Sequence, residues 1–298
     1  MRPTFFRPGF APAIERWRLK AVLVCMFLLL SLVVTESSAQ TGICSEPEPE
    51  PEANPGRPTV STPATLTLVG YLQFENGALF ADSSTEFSRR FGVSQVTKLT
   101  VLPHLELFLQ SEPLAVSDSQ NQMAVHVGEV FAGLQGIIYE GHDSRPTVSV
   151  SYTRRLYASP APELDLGTFR QSGTILLSND LHGFHVDVNG IFTEQIMATV
   201  HRAQFAQTLS VSHPLGKFTL SGEIWHFSQP FLRGNAVGNL WALSRAIRKN
   251  LVVDGGFDHG LTHTSTHWEA FLGFTYLLPH RLWPEHRNGG RESGNPAE

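Results

Sequence analysis

Along most of the chain apolar and polar residues alternate one by one. In GFHVDVNGIFT, residues 183–193, Phe184, Val186, Val188 and Phe192 share one parity, while His185, Asp187, Asn189 and Thr193 share the other. A period of two belongs to a β-strand, whose side chains point alternately to opposite faces. The pattern predicts twelve strands, at 66–75, 85–102, 104–111, 128–140, 147–157, 168–178, 184–194, 202–212, 218–228, 236–247, 251–259 and 267–278, and no helix. Besides 184–194, the alternation is clearest at 147–157, 168–178, 202–212 and 267–278.

The connections alternate as well. Compact turn chemistry of Gly, Pro, Asn and Asp follows every second strand, near 102–103 and at 141–146, 179–183, 213–217 and 248–250. The intervening connections, 76–84, 112–127, 158–167, 195–201, 229–235 and 260–266, are longer. Short turns on one side, long loops on the other and an even strand count predict an all-β fold: a closed up-and-down antiparallel transmembrane barrel of about twelve strands. Both ends of the barrel then lie on the short-turn, periplasmic side.

Periodicity alone does not say which face is wet. A soluble sandwich packs its apolar faces inward, whereas a membrane barrel turns them to lipid and lines its lumen with polar groups. Composition decides for the barrel. Charged residues make up only 16% of the chain, against the roughly 25% usual for soluble proteins. The polar parity is rich in Ser, Thr, Asn and Gly and poor in the Lys that guards open sheet edges. Aromatics near strand ends, such as Trp225, Phe227, Trp268, Tyr276 and Trp283, fit interfacial girdles. The net charge of -5 speaks against nucleic acid as a partner. Membrane lipid, a small-molecule solute and the outer-membrane insertion machinery are the expected partners, and no cofactor is implied.

The ends follow other rules. Residues 1–39 read as an export signal, with Arg2, Arg7, Arg16, Arg18 and Lys20 ahead of the apolar core AVLVCMFLLLSLVV (21–34) and small residues before a cut after Ala39. Removal of Cys25 with the signal leaves Cys44 as the one thiol, which excludes a disulfide framework. Residues 40–65, containing SEPEPEPEANPGRPTVSTP, have too little apolar content to fold and predict a disordered Pro/Glu-rich tether. The barrel is expected over 66–283 and a disordered polar tail over 284–298.

The stretch NLWALSRAIRKNLVVDGGFDHGLTHTSTHWEAFLGFTYLL (239–278) resembles the C-terminal signature of an outer-membrane barrel family described as MetA-pathway of phenol degradation, or simply transporter. VTKLTVLPHLELFLQSEP (96–113) resembles that family's second and third strands. The resemblance implies an outer-membrane channel for small, hydrophobic or aromatic compounds and supplies no catalytic residues. One departure is the sequence after the last strand, PHRLWPEHRNGGRESGNPAE (279–298), where many such barrels end on a terminal aromatic.

Candidate chemistry is sparse. His259, His263 and His267 recur every fourth residue, which on a helix gathers metal ligands but along a strand–loop–strand spreads them apart, so an exposed polar loop is expected and no metal. HDSRP (142–146) faintly resembles the His-x-Ser of outer-membrane phospholipase, yet no third group to orient the base follows it. A barrel hydrolase acting through Ser144 is thus one alternative; a closed structural or binding barrel is another. What remains is the lumen. Arg155, Arg170, His185, Asp187, Asn189, Glu223, Asp254, Asp258 and Glu269 share the inward parity or sit close to it. Such groups either set the selectivity of a pore or bond across the barrel and plug it.

Overall fold

The computed structural model describes residues 51–119, 122–142, 145–162, 164, 169–232 and 234–283. The export signal read over 1–39 and the tail over 284–298 lie outside the described residues. Thirteen strands run in chain order: β1 Leu72–Asp82, β2 Arg89–Leu102, β3 Leu105–Ser119, β4 Gln122–His126, β5 Val130–Tyr139, β6 Thr147–Tyr157, β7 Phe169–Leu181, β8 Phe184–Met197, β9 Val200–Leu215, β10 Phe218–Ser228, β11 Asn235–Arg248, β12 Leu251–Gly260 and β13 Trp268–Leu277. Neighbours pair antiparallel, and β1 pairs with both β2 and β13, which closes the sheet into a ring of twelve; β4 pairs only with β3 and stands outside that ring. A closed ring leaves no backbone edge to desolvate, the condition for a sheet to sit in lipid.

Parity holds around the ring. On β8, Phe184, Val188 and Phe192 are exposed, while Asp187, Asn189, Thr193 and Gln195 are buried. The same inversion recurs on β9, where Phe205 and Leu209 are exposed and Gln204 and Thr208 buried. Oily side chains therefore face outward and polar ones inward, the reverse of a soluble core. This exterior and the closed ring place the barrel in the outer membrane.

Four connections on one side take two residues each, at 103–104, 182–183, 216–217 and 249–250. The expected contrast in loop length fails at two places: β8 and β9 are joined by Ala198 and Thr199 alone, with Ala198 at φ 53°, and the β5–β6 connection, 140–146, is longer than the β1–β2 connection, 83–88. The segment 112–127 also differs from a loop. β3 continues through it to Ser119 and folds back as β4, with Ala115 opposite His126.

The first strand begins later than its alternation suggests. Gly70 takes φ 81°, a left-handed conformation that interrupts extension, and β1 then runs straight through Asn76 and Gly77, a pair that normally signals a turn. Gly77 lies opposite Gly273 of β13 instead.

Trp225 and Phe227 correct the girdle expectation. Both are buried on the lumen side, at 2% and 5% exposure, and their rings stack 4.9 Å apart. They share the parity of Glu223, which is also buried. Trp268 does face outward.

Candidate functional site: the filled lumen

The polar inward face is occupied by the chain's own N-terminal segment. Residues 53–65, part of the stretch expected to be a disordered tether, run inside the barrel and are held by the wall. The low apolar content that suggested disorder is the reason this segment fits: a polar lumen rewards a strand of backbone donors and acceptors, not oily side chains.

The segment enters and leaves on the short-turn side. Ala53 N donates to Lys249 O in the β11–β12 turn at 2.9 Å, and Ala53 packs with Tyr71 and Leu277. Asn54 and Gln73 exchange two bonds, from Asn54 N to Gln73 Oε1 at 2.8 Å and from Gln73 Nε2 to Asn54 O at 2.6 Å. Asn54 Nδ2 also donates to Thr65 O at 3.1 Å. Residues 54–65 thus form a loop inserted into the lumen, with its neck closed at Asn54 and Thr65.

Above the neck the wall binds mostly backbone. Gly56 N donates to Glu75 Oε1 at 3.0 Å, and Glu75 in turn pairs with Lys98 at 2.6 Å. At the loop's far turn the Glu223 carboxylate accepts from Val60 N and Ser61 N, both at 2.7 Å, and from Ser61 Oγ at 2.6 Å. Asn189 reads Thr62 on both sides, accepting from its N–H at 2.6 Å and donating to its carbonyl at 2.9 Å. Ala64 N donates to Ser178 Oγ at 2.7 Å, and Gln135 Nε2 donates to Pro63 O at 3.0 Å. Hydrogen bonds to a charged partner contribute about 1.5–3 kcal/mol each. With three donors on one carboxylate, Glu223 holds the loop at more points than any other wall side chain named above.

The nine inward candidates now have positions. Asn189 and Glu223 grip the loop backbone, and Asp254 pairs with Arg57 at 3.2 Å. Asp187 accepts from Ser178 Oγ at 2.5 Å and sits 3.2 Å from His185; His185, near the β7–β8 turn, also contacts Asp180 at 2.7 Å. Asp258 accepts from Trp225 Nε1 at 2.7 Å and lies opposite Glu269, which is half-buried. Arg155 pairs with Glu129 at 2.8 Å, at the long-loop mouth. Burial pushes the Glu129 carboxyl above the usual carboxylate range against the opposing pull of Arg155. Arg170 is exposed. The register shifts between Phe169 and Ser172, so Phe169 turns inward and the expected inward position of Arg170 is lost.

Residues that the alternation alone did not single out complete the site. Gln73 and Glu75 of β1 and Lys98 of β2 are buried on the inward face; the alternation predicts the first strand at 66–75, ahead of β1. Toward the long-loop mouth, Phe131 and Phe169 stack with ring centroids 4.6 Å apart, facing into the same lumen as the Trp225–Phe227 pair. Arg90 closes that mouth on one side, donating to Pro162 O at 3.0 Å and pairing with Glu112 at 2.6 Å. Beside the loop remains a cavity of about 420 Å³, lined from β1 round to β13, whose lining includes Thr62, Lys98, Phe108, Phe169, Trp225 and Asp258.

Among the described residues no group of three or more ligating side chains is found. His259 and His267 instead flank Trp268, with centroids 4.2 and 6.1 Å from its ring. Ser144, the hydrolase candidate, lies outside the described residues.

No protein-family profile matches the chain, and no curated protein matches it either. Solved structures do. An outer-membrane channel from Pseudomonas putida F1 aligns at a TM-score of 0.55 with 10% identity, covering 76% of this chain and 100% of that one. The NanC porin aligns at 0.48 with 10% identity over 69% of this chain and 98% of its own. The KdgM porin aligns at 0.47 with 7% identity, over 68% and 98%. At these identities the likeness is one of fold: the chain is built as outer-membrane channel barrels are.

Proposed function

We propose that the chain is a gated outer-membrane channel for small solutes, hydrophobic or aromatic in character, with residues 53–65 as its resident gate. The observation that carries this reading is the cavity of about 420 Å³ between the loop and the wall. That volume lies within the range of small-molecule sites, about 300–1,000 Å³. Phe169, Trp225 and Phe227 in its lining offer flat apolar faces to a solute, and hydroxyl, amide and charged side chains, Lys98 and Glu106 among them, can orient one. The resemblance of residues 239–278 to the phenol-degradation barrel family points to the same class of compound. Insertion into the membrane is assigned to the machinery that reads the last strand, here β13.

The loop is held by hydrogen bonds rather than by a packed core, and both its ends leave on one side. It can therefore withdraw toward the short turns without crossing the aromatic region. Planar-bilayer recording tests the reading. The full chain is expected to give small or rare current steps in potassium chloride, and a chain lacking residues 53–65 large stable ones that phenol reduces. Absence of steps from both folded chains overturns the channel and leaves a closed structural or binding barrel.

A further inference from the structure

The place where Arg57 sits has the build of a receptor rather than of a gap between elements. Its guanidinium enters from the loop and meets three different recognition surfaces on the wall. Asp254 of β12 faces it as a fork, with Nη2 3.2 Å from Oδ1 and Nε 3.4 Å from Oδ2. The Asp254 side chain is only 2% exposed, so its charge depends on this partner. The floor is made by Gly77 and Gly273, which lie directly opposite each other on β1 and β13. A methyl group at Gly77 would collide with Nη1, and one at Gly273 would stand 2.6 Å from Nε. The ring of Phe271 closes one side, with its centroid 5.9 Å from Arg57 Cζ, near the limit at which a cation is drawn to a ring face.

A planar cation fits these surfaces better than a compact one. Two bare backbones give room to a flat group, and a carboxylate at the edge accepts two parallel N–H groups. Asp254 and Gly273 are themselves cross-strand partners, so floor and acceptor are fixed by the same ladder. They do not rely on the loop for their geometry.

We propose that the barrel wall carries a guanidinium-binding subsite, formed by Asp254, Gly77, Gly273 and Phe271, which the chain's own Arg57 occupies at rest. Solutes bearing a free guanidinium compete with Arg57 for it. The inference extends the channel reading above by naming a second class of solute for the same lumen, but its test does not depend on current.

The test uses the full chain with Arg57→Ala, shown to be folded by its heat-modifiable gel mobility, and agmatine as the probe. Calorimetric titration in detergent is expected to show agmatine binding to Arg57→Ala about tenfold tighter than to the unaltered chain, whose socket is filled. Putrescine, a diamine without the planar fork, is expected to bind Arg57→Ala about tenfold more weakly than agmatine does, a difference of about 1.4 kcal/mol. Adding Gly77→Ala to Arg57→Ala fills the floor without changing charge, and it should abolish the preference for agmatine. If that double variant does not fold, Gly273→Ala, whose methyl also meets the Asn76 carbonyl, serves the same purpose. Equal binding of agmatine and putrescine, or no binding to folded Arg57→Ala, overturns the subsite. Agmatine binding by a chain that never conducts would retain the subsite and remove the channel.

Discussion

The two halves of the lumen differ in what their side chains face. Toward the short turns the wall presents carboxylates and amides that meet loop atoms: Glu75 with Gly56, Asp254 with Arg57, Glu223 with Val60 and Ser61. Toward the long loops the same strands present rings, Phe169 on β7 and Trp225 and Phe227 on β10, and space remains between them. The change happens within one strand: Glu223 holds the loop and Trp225, two residues on, borders the cavity. Charged groups in a confined lumen must be paired, because an unpaired buried charge is costly. Aromatic faces carry no such demand and can stay uncovered. The inner half thus directs its charged groups to the loop, while the outer half pairs Arg90 with Glu112, Arg155 with Glu129 and Asp258 with Trp225 and leaves its rings facing open space.

The largest expected effect comes from removing the occupant. Deleting residues 53–65 should raise potassium chloride conductance by about tenfold or more, since the lumen of a polar barrel conducts once it is clear. The measurement is single-channel recording against the full chain. A contrast between the two faces of one strand comes next. Val188→Arg, on the lipid side of β8, should destabilise the folded barrel by about 2–4 kcal/mol, read from urea unfolding in detergent. Gln204→Ser, on the inner face of β9, should cost well under half of that.

Within the inner half, Glu223→Ala should loosen the loop's far turn by about 2–3 kcal/mol, as it removes a charged acceptor from three donors. Amide hydrogen exchange at Val60 and Ser61 would then speed up, along with more frequent current steps. Asn189→Ala should act in the same direction by about 1–2 kcal/mol, because its bonds to Thr62 are neutral ones. The outer half gives the smallest change. Phe169→Ala should leave conductance within about twofold and weaken block by phenol several-fold, since one stacked ring contributes about 0.5–1.5 kcal/mol. If Phe169→Ala instead freed the loop, the separation between the halves would fail.

Much of the wall was legible in the strand pattern, and the reasons are local. On β8 the parity of Phe184, Val188 and Phe192 against Asp187 and Asn189 sorts lipid from lumen without any knowledge of neighbours. The same parity would have turned Trp225 and Phe227 inward once Glu223 was placed there; proximity to a strand end was the weaker signal. Arg170 could not be placed, because the register shift at Phe169 arises from pairing with β8 and leaves no mark in β7 itself. Asn76 and Gly77 read as a turn for a similar reason. The glycine serves Arg57, which is twenty residues away in sequence and joined to it only by the fold.

By itself, then, the sequence determined a closed all-β barrel with an oily outside and a polar inside, because a two-residue period and turn chemistry are properties of neighbouring residues. Tertiary structure alone decided what fills that inside. The segment 53–65 is polar and rich in Pro, with too little apolar surface for a core of its own, and Gln73, Asn189, Glu223 and Asp254 from separate strands converge on it. Its order is supplied by long-range hydrogen bonds, and no local pattern encodes those.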